Sequence, residues 1–382
     1  MPTSHRCRII SSASGSASRG AMCQTPRLSG MRFKWQPADR QATHPAAFTL
    51  LEVLAAVTLL AMILVMTGSI ISSSSRAWRQ ANAKIETFQD ARAAFDVMTA
   101  RLSRATLNTY WDYYDSSRKP FRLSSSPSTF VPDQYGRYSD LHFLCGPASS
   151  LITGMPPGIS AVATQAIFFI APTGLSSNAD YSALPGLLSA CGYFVAFGDD
   201  DASKPGFLST PSRYRWRLME LSAPAEKLSV FTSSSGDSWA TTPLSQGQVR
   251  AVAENVIALI VWPRLSTQDD AAGTQISDDY TYDSRTADAW SGTPPRQPAQ
   301  AHQLPPNLQL TLVVIDEISA KRIDKGQAPP AEITAALAGL FANDVTQYAS
   351  DLKKLQDRLA DKNIGFRVFS TTVSLRESKW SP

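Results

Sequence analysis

The chain has 382 residues, 43% of them hydrophobic and 18% charged, enough to bury a substantial core, which excludes a disordered protein. Its formal charge of +4 is concentrated at one end: residues 1–47 hold seven of the 36 basic and one of the 32 acidic residues, so the slightly acidic remainder lacks the basic bias that nucleic-acid binding requires. With four His and four Cys in all, half of each inside that basic segment, a zinc site of the usual Cys/His type is excluded as well, and no metal or other cofactor is expected.

Residues 1–47 form a basic leader with a Ser-rich stretch from Ser11 to Ser18. A start at Met31 would shorten it to the 17 residues MRFKWQPADRQATHPAA, so residues 1–30 are read as lying outside the natural start. From Phe48 to Ile71 follows FTLLEVLAAVTLLAMILVMTGSII, in which Glu52 is the only ionisable residue. As a helix this run is ~36 Å long, enough to cross the hydrocarbon of a bilayer. The positive-inside rule keeps the leader cytoplasmic and sends the body across the membrane. A cleaved secretory signal is the competing reading, but its apolar region is ~7–15 residues long, and this run leads straight into further helix. Glu52 carries more information than the run itself. A carboxylate within a membrane helix costs on the order of 2.5–3.5 kcal/mol at the helix centre and calls for a partner.

The string AFTLLEVLAAVTLL resembles the class III signal of type IV pilins and type II secretion pseudopilins. The resemblance implies cleavage by a prepilin peptidase between Ala47 and Phe48, N-methylation of Phe48, and Glu52 as the fifth residue of the processed chain. Ala47 stands where that family usually has Gly. In such a subunit the Glu52 carboxylate would pair with the N-terminal amine of a neighbour, and the apolar helix would serve both as inner-membrane anchor and as assembly surface.

Beyond the run, Trp78, Ala81, Ile85, Phe88, Ala91, Phe95, Met98, Leu102 and Ala105 recur every three or four residues and predict an amphipathic helical extension over 72–107, with a coiled-coil seam as the alternative. Residues 108–382 then read as a β-rich domain. Strands are predicted at Leu141–Cys145, Gln165–Ala171, Gly192–Phe197, Arg213–Leu221, Val249–Trp262, Leu308–Ile315 and Phe366–Leu375. In RYRWRLMEL, Arg213, Arg215 and Arg217 alternate with Tyr214, Trp216 and Leu218, which predicts a solvated arginine face. SAPAE leading into KLSVF predicts a hairpin, Pro263–Pro306 an exposed mobile loop, and Ala331–Asp361 helix interrupted near Asn343-Asp344. The fold expected is therefore α+β: a long transmembrane and amphipathic helix packed on a β-rich domain with late helical decoration, as in the J-type minor pseudopilins. SRAWRQANAKIETFQDARAAFDVMTARLSRATLNTYWDYY (75–114), RYRWRLMEL, AENVIALIVWPRL, LVVIDEISAKRI and FRVFSTTVSLRESKW are also similar to a bacterial family described as Verru_Chthon cassette protein C, a pilin-signal protein.

Residues able to do chemistry are sparse. His142 falls in a strand and His302 in a Pro-rich loop, and neither has a nucleophile placed beside it by the sequence. Asp316 and Glu317 are adjacent, so in an extended chain they would point to opposite faces; they are read as capping the next turn or meeting Lys321 and Arg322. The runs at Asp199–Asp201 and Asp269–Asp283 do not match a calcium-loop spacing and are read as solvated turns. Cys145 and Cys191 would form either one disulfide after export or two buried thiols. These features predict a non-enzymatic pilin-like subunit, single-pass in the inner membrane with its C-terminal domain in the periplasm or a pilus-like fibre. Its partners would be other pilin-like subunits and the peptidase. A membrane-anchored binding protein or enzyme carrying a pilin-like signal is the alternative.

Overall fold

A computed structural model describes residues 48–380 except 182, 202–203, 232–235, 267, 272 and 286–289, so Ala47 and the rest of the leader lie outside the described residues. The chain divides into two units, Met1–Met66 and Thr67–Pro382. It is α+β, with one long N-terminal helix and a β-rich domain.

Helix α1 runs for 53 residues from Leu50 to Leu102. Within the second unit it buries Ala91, Phe95, Met98 and Leu102, four positions on one face at helical spacing. Phe95 meets Phe369 with ring centroids 6.3 Å apart. The predicted stripe is longer than this buried part: Trp78 is 70% and Ile85 54% exposed. The helix stops at Leu102, where Ala105 N–H closes a tighter turn on the Leu102 carbonyl and Thr106 N–H leaves for Ile170 O.

Every strand pairing is antiparallel. Strands β1 (Tyr110–Tyr114) and β2 (Gln134–Tyr138) form a separate hairpin. A six-stranded sheet is built from β3 (Leu144–Pro147), β4 (Ile159–Pro172), β5 (Leu188–Gly198), β6 (Arg215–Ala223), β7 (Val249–Glu254) and β9 (Tyr282–Asp283), ordered β7-β6-β5-β4-β3-β9. Strand β8 (Val256–Arg264) leaves that sheet and joins β10 (Asn307–Ile315) and β11 (Phe366–Ser374) in the order β11-β10-β8. The single strand predicted over Val249–Trp262 is thus two strands. Asn255, at φ 60°, breaks the extended backbone between them. Short helices α2 (Ala148–Leu151), α3 (Ser238–Ser245) and α4 (Glu317–Ile323) fill connections, and α5 (Ala331–Leu337) and α6 (Tyr348–Asp361) flank the interruption predicted near Asn343.

Three expectations are corrected. The arginine face is solvated only at Arg213: Arg215 and Arg217 are 6% and 5% exposed. Arg215 pairs with Asp324, and Arg217 donates to Gly198 O at 3.1 Å and to Asp199 O, so their charges are buried with partners from distant segments. No hairpin follows β6, which has β5 and β7 on its two sides, while Ala225–Lys227 makes a 3-10 turn. The segment 263–306 is not an exposed mobile loop over its described residues. It adds β9 to the sheet edge beside β3, buries Ile276, Tyr280, Tyr282 and Leu304, and folds around the Asp270 carboxylate, which accepts from the N–H groups of Gly273, Thr274 and Gln275.

A buried ionic cluster ties α1 to the sheet. Tyr193, Glu220 and Arg250 lie in one cross-strand row on β5, β6 and β7. Glu220, 1% exposed, accepts from Tyr193 Oη at 2.7 Å, from Arg250 Nε at 2.6 Å, and from Arg101 of α1. Removing the Glu220 carboxylate leaves the buried Tyr193 hydroxyl without its acceptor, while Arg250, 63% exposed, and Arg101, 28% exposed, turn to water. Glu220→Ala is therefore expected to destabilise the domain by about 1–3 kcal/mol, against less than about 1 kcal/mol for Asp357→Ala, whose pairing with Lys353 on α6 is exposed on both sides. Denaturant titration of the two variants in detergent checks the contrast.

Candidate functional site

The first turn of α1 is built by Thr49 and Glu52. Thr49 is the residue before Leu50, and Glu52 is the third helical position. Glu52 N–H donates to Thr49 Oγ1 at 3.3 Å, while Thr49 N–H and Oγ1–H donate to Glu52 Oε2 at 3.0 and 3.1 Å. This reciprocal pair is a capping box, which satisfies N–H groups that a helix end leaves without partners. The carboxylate also sits where the helix dipole favours negative charge. The signal T-x-x-E ahead of an apolar run was legible in the sequence, so Glu52 has a local role besides any intermolecular one.

Around it, Phe48, Leu50, Leu51, Leu54, Val57 and the apolar residues through Ile71 are exposed, with Phe48 and Leu50 each at 83%. Among the described residues this is the one helix long and apolar enough to cross a membrane. A surface this large and apolar, bounded by a polar cap, marks an interaction surface for lipid or for other helices.

The other sequence-selected residues are scattered and locally satisfied. Cys145 on β3 and Cys191 on β5 are both free and buried. Strand β4 lies between them: Cys145 faces Ile167, whereas Cys191 faces Phe169. Two strand spacings of ~4.8 Å exceed the Cα separation a disulfide spans, so the bridge offered as one option does not form in this fold. Burial pushes the Cys145 thiol up strongly and the Cys191 thiol up to about 12, which leaves both as inert core groups. His142 is enclosed, its Nε2 2.6 Å from Asp283 Oδ1 and its Nδ1 accepting from Trp239 Nε1 at 2.9 Å. His302 accepts at Nδ1 from Ser139 N–H at 3.2 Å. Asp316 caps α4 by accepting from Ser319 N–H and pairs with Lys84 of α1 at 3.1 Å. Burial alone would raise its carboxyl; the Ser319 hydrogen bonds and Lys84 outweigh it and hold it below the usual range. Glu317 binds Asn255 Nδ2 at 2.7 Å and Lys321 at 3.1 Å. Asp200 and Asp201 pair with Lys204.

One feature missed by the sequence reading is an open groove of about 990 Å³ within the second unit, where Glu86, Asp90 and Val97 of α1 face Arg250 and Glu254 of β7. No His or Cys lines it, and its cations are engaged: Arg250 with Glu220, Arg213 with Glu254 and Glu317, Lys321 with Glu317. Among the described residues no group of three or more His, Cys, Asp or Glu converges as a metal site. The chain matches no family model, no curated protein and no solved structure.

Two outcomes follow for the buried groups. Cys145 and Cys191 should resist alkylation in the folded protein and react fully once it is denatured, without prior reduction, as read by peptide mapping. For His302, burial and the nearby Arg285 and Arg137 guanidinium groups push the imidazole from 6.5 down to about 4. The folded state therefore refuses a proton that the unfolded chain accepts. The stabilisation is complete above about pH 6.5 and is lost as the pH falls towards 4, to an extent on the order of 3 kcal/mol. His302→Asn should flatten that part of the stability profile in equilibrium unfolding measured across the window.

Proposed function

We propose that the protein is a non-enzymatic pilin-like subunit of the minor pseudopilin type, held in the inner membrane by residues 48–71 and assembling with other pilin-like subunits through that helix. The supporting observation is Glu52, the single carboxylate among residues 48–71, an apolar stretch whose side chains are all exposed. A plain anchor gains only the helix cap from this residue, whereas a subunit whose neighbour carries a free amine at the matching level gains charge pairing as well. In this reading a prepilin peptidase cleaves between Ala47 and Phe48, Phe48 is N-methylated, and the domain beyond residue 71 stands in the periplasm or on a pilus-like fibre.

The capping box supplies the decisive test. Gln at the third helical position preserves the reciprocal hydrogen bonds, and Ala removes them. If charge pairing drives assembly, Glu52→Gln and Glu52→Ala should both reduce recovery of partner pilins by cross-linking, at matched membrane levels and with cleavage after Ala47 verified by intact mass. If Glu52 acts only as a cap, Glu52→Gln should recover partners like the wild type while Glu52→Ala loses up to about 2 kcal/mol of local helix stability. That second result would reject charge-paired assembly and favour an anchored binding protein or enzyme.

A further inference from the structure

Between the apolar run and the first ion pair that fixes α1 to the domain, Lys84 to Asp316, the helix is bare: residues 72–82 are all exposed. Their order is layered. Four serines, Ser72–Ser75, come first, then Arg76, Trp78 and Arg79, then the amides Gln80 and Asn82. No carboxylate occurs between Glu52 and Glu86. Among the described residues Arg76 and Arg79 enter no ion pair, and Trp78 is 70% exposed, so nothing in the domain accounts for two cations and an indole at this level.

The unbroken helix turns sequence separation into height. Arg76 and Arg79 lie ~7.5 and ~12 Å beyond Ile71 along the axis. Helical side chains lean towards the N-terminus, here back towards the apolar run, so both guanidinium groups reach nearer to it than their Cα positions indicate. A headgroup layer occupies ~5–8 Å on each side of the hydrocarbon. Trp favours that layer because its ring is apolar and its N–H needs a partner, and guanidinium matches phosphate with paired donors. Arg76 and Arg79, three positions apart, share one face of the helix, while Trp78 lies ~160° from Arg76 and ~100° from Arg79, so cations and indole together meet a surrounding layer on more than one side.

We infer that Arg76, Trp78 and Arg79 form an interfacial collar that binds the phosphates of anionic phospholipid headgroups on the side of the membrane facing the domain. The inference rests on the membrane-spanning reading given above. The collar sets the level of the helix, so that the domain begins at Lys84, ~20 Å beyond Ile71.

The test uses the full chain in vesicles of phosphatidylcholine with and without phosphatidylglycerol. Spin-labelled lipids report the preference of the protein's lipid shell for the anionic species. Wild type should show a preference that falls about 5-fold per arginine in Arg76→Gln and Arg79→Gln, weakens with added salt, and survives in the Arg→Lys variants. A spin label at Ala77 should report headgroup depth, and one at Ala83 the aqueous phase. Chain that floats with the vesicles but shows an aqueous Ala77, or an anionic preference indifferent to both arginines, overturns the collar and leaves the membrane reading intact. Chain that fails to integrate at all overturns both. Loss of the preference to added inorganic phosphate at matched ionic strength would identify a free-phosphate site and likewise overturn it.

Discussion

The domain depends on how the open side of β8 is satisfied. This strand is buried along almost its whole length, yet it has a strand partner, β10, on one side only. An unpaired buried backbone group costs about 1–3 kcal/mol, so the other side needs partners of its own. Two side chains of β4 supply them. Thr164 Oγ1 donates to Leu259 O at 2.8 Å and accepts from Leu259 N–H at 3.0 Å, while Gln165 Oε1 accepts from Val261 N–H at 3.0 Å and its Nε2 donates to Phe341 O. Side chains thus replace a strand ladder and join the two sheets. The requirement explains why Thr164, a β-branched residue, sits at φ 53° in a bulge of β4, a conformation that costs energy unless its surroundings hold it there.

With the sheets fixed to each other, α1 is held at two levels. Arg101 reaches Glu220 on the six-stranded sheet, and Lys84 reaches Asp316 at the end of β10 in the three-stranded sheet. Between them Ala91, Phe95 and Met98 supply the apolar contact. The two ion pairs are 17 residues apart, ~26 Å along the axis, and each lies on a different sheet, so a slip or rotation of the helix would break both. Most helical stability in proteins comes from packing an apolar face. The side chains from Leu50 to Ile71 are exposed among the described residues, which is why lipid and neighbouring helices enter the proposed function.

Apolar alternation made most of the sheet legible. Six of the seven predicted segments are largely strand, with a break where backbone conformation, not hydropathy, decides, as at Asn255; of Leu141–Cys145 only Leu144 and Cys145 are strand, so His142 lies just before β3 and not in a strand. Errors clustered where polarity was taken for exposure. Arg215, Arg217 and Asp270 are buried because their partners come from other segments or from local N–H groups, and a single sequence carries no sign of those pairings. Tyr110–Tyr114, to which the sequence reading assigns no strand, is a strand with Trp111 and Tyr113 outward, where Trp111 stacks on Tyr135 across the hairpin and Tyr113 lies tilted against the same ring. Tyr193, Glu220 and Arg250 could not have been associated before the register of β5, β6 and β7 was in hand.

Glu52 illustrates how a local and an intermolecular role can share one side chain. Both hydrogen bonds from Thr49 go to Oε2, and Oε1 has no hydrogen-bond partner among the described residues. An ionised carboxylate offers about four lone-pair sites, so the cap leaves acceptor capacity in place. The cap also fixes the side chain at the helix start instead of leaving it to sample rotamers, which lowers the entropy lost when an amine docks on it. In that sense the capping box prepares the carboxylate for a neighbour's positive group. Gln at this position would keep the orientation but present a neutral amide, so orientation and charge separate at a single atom.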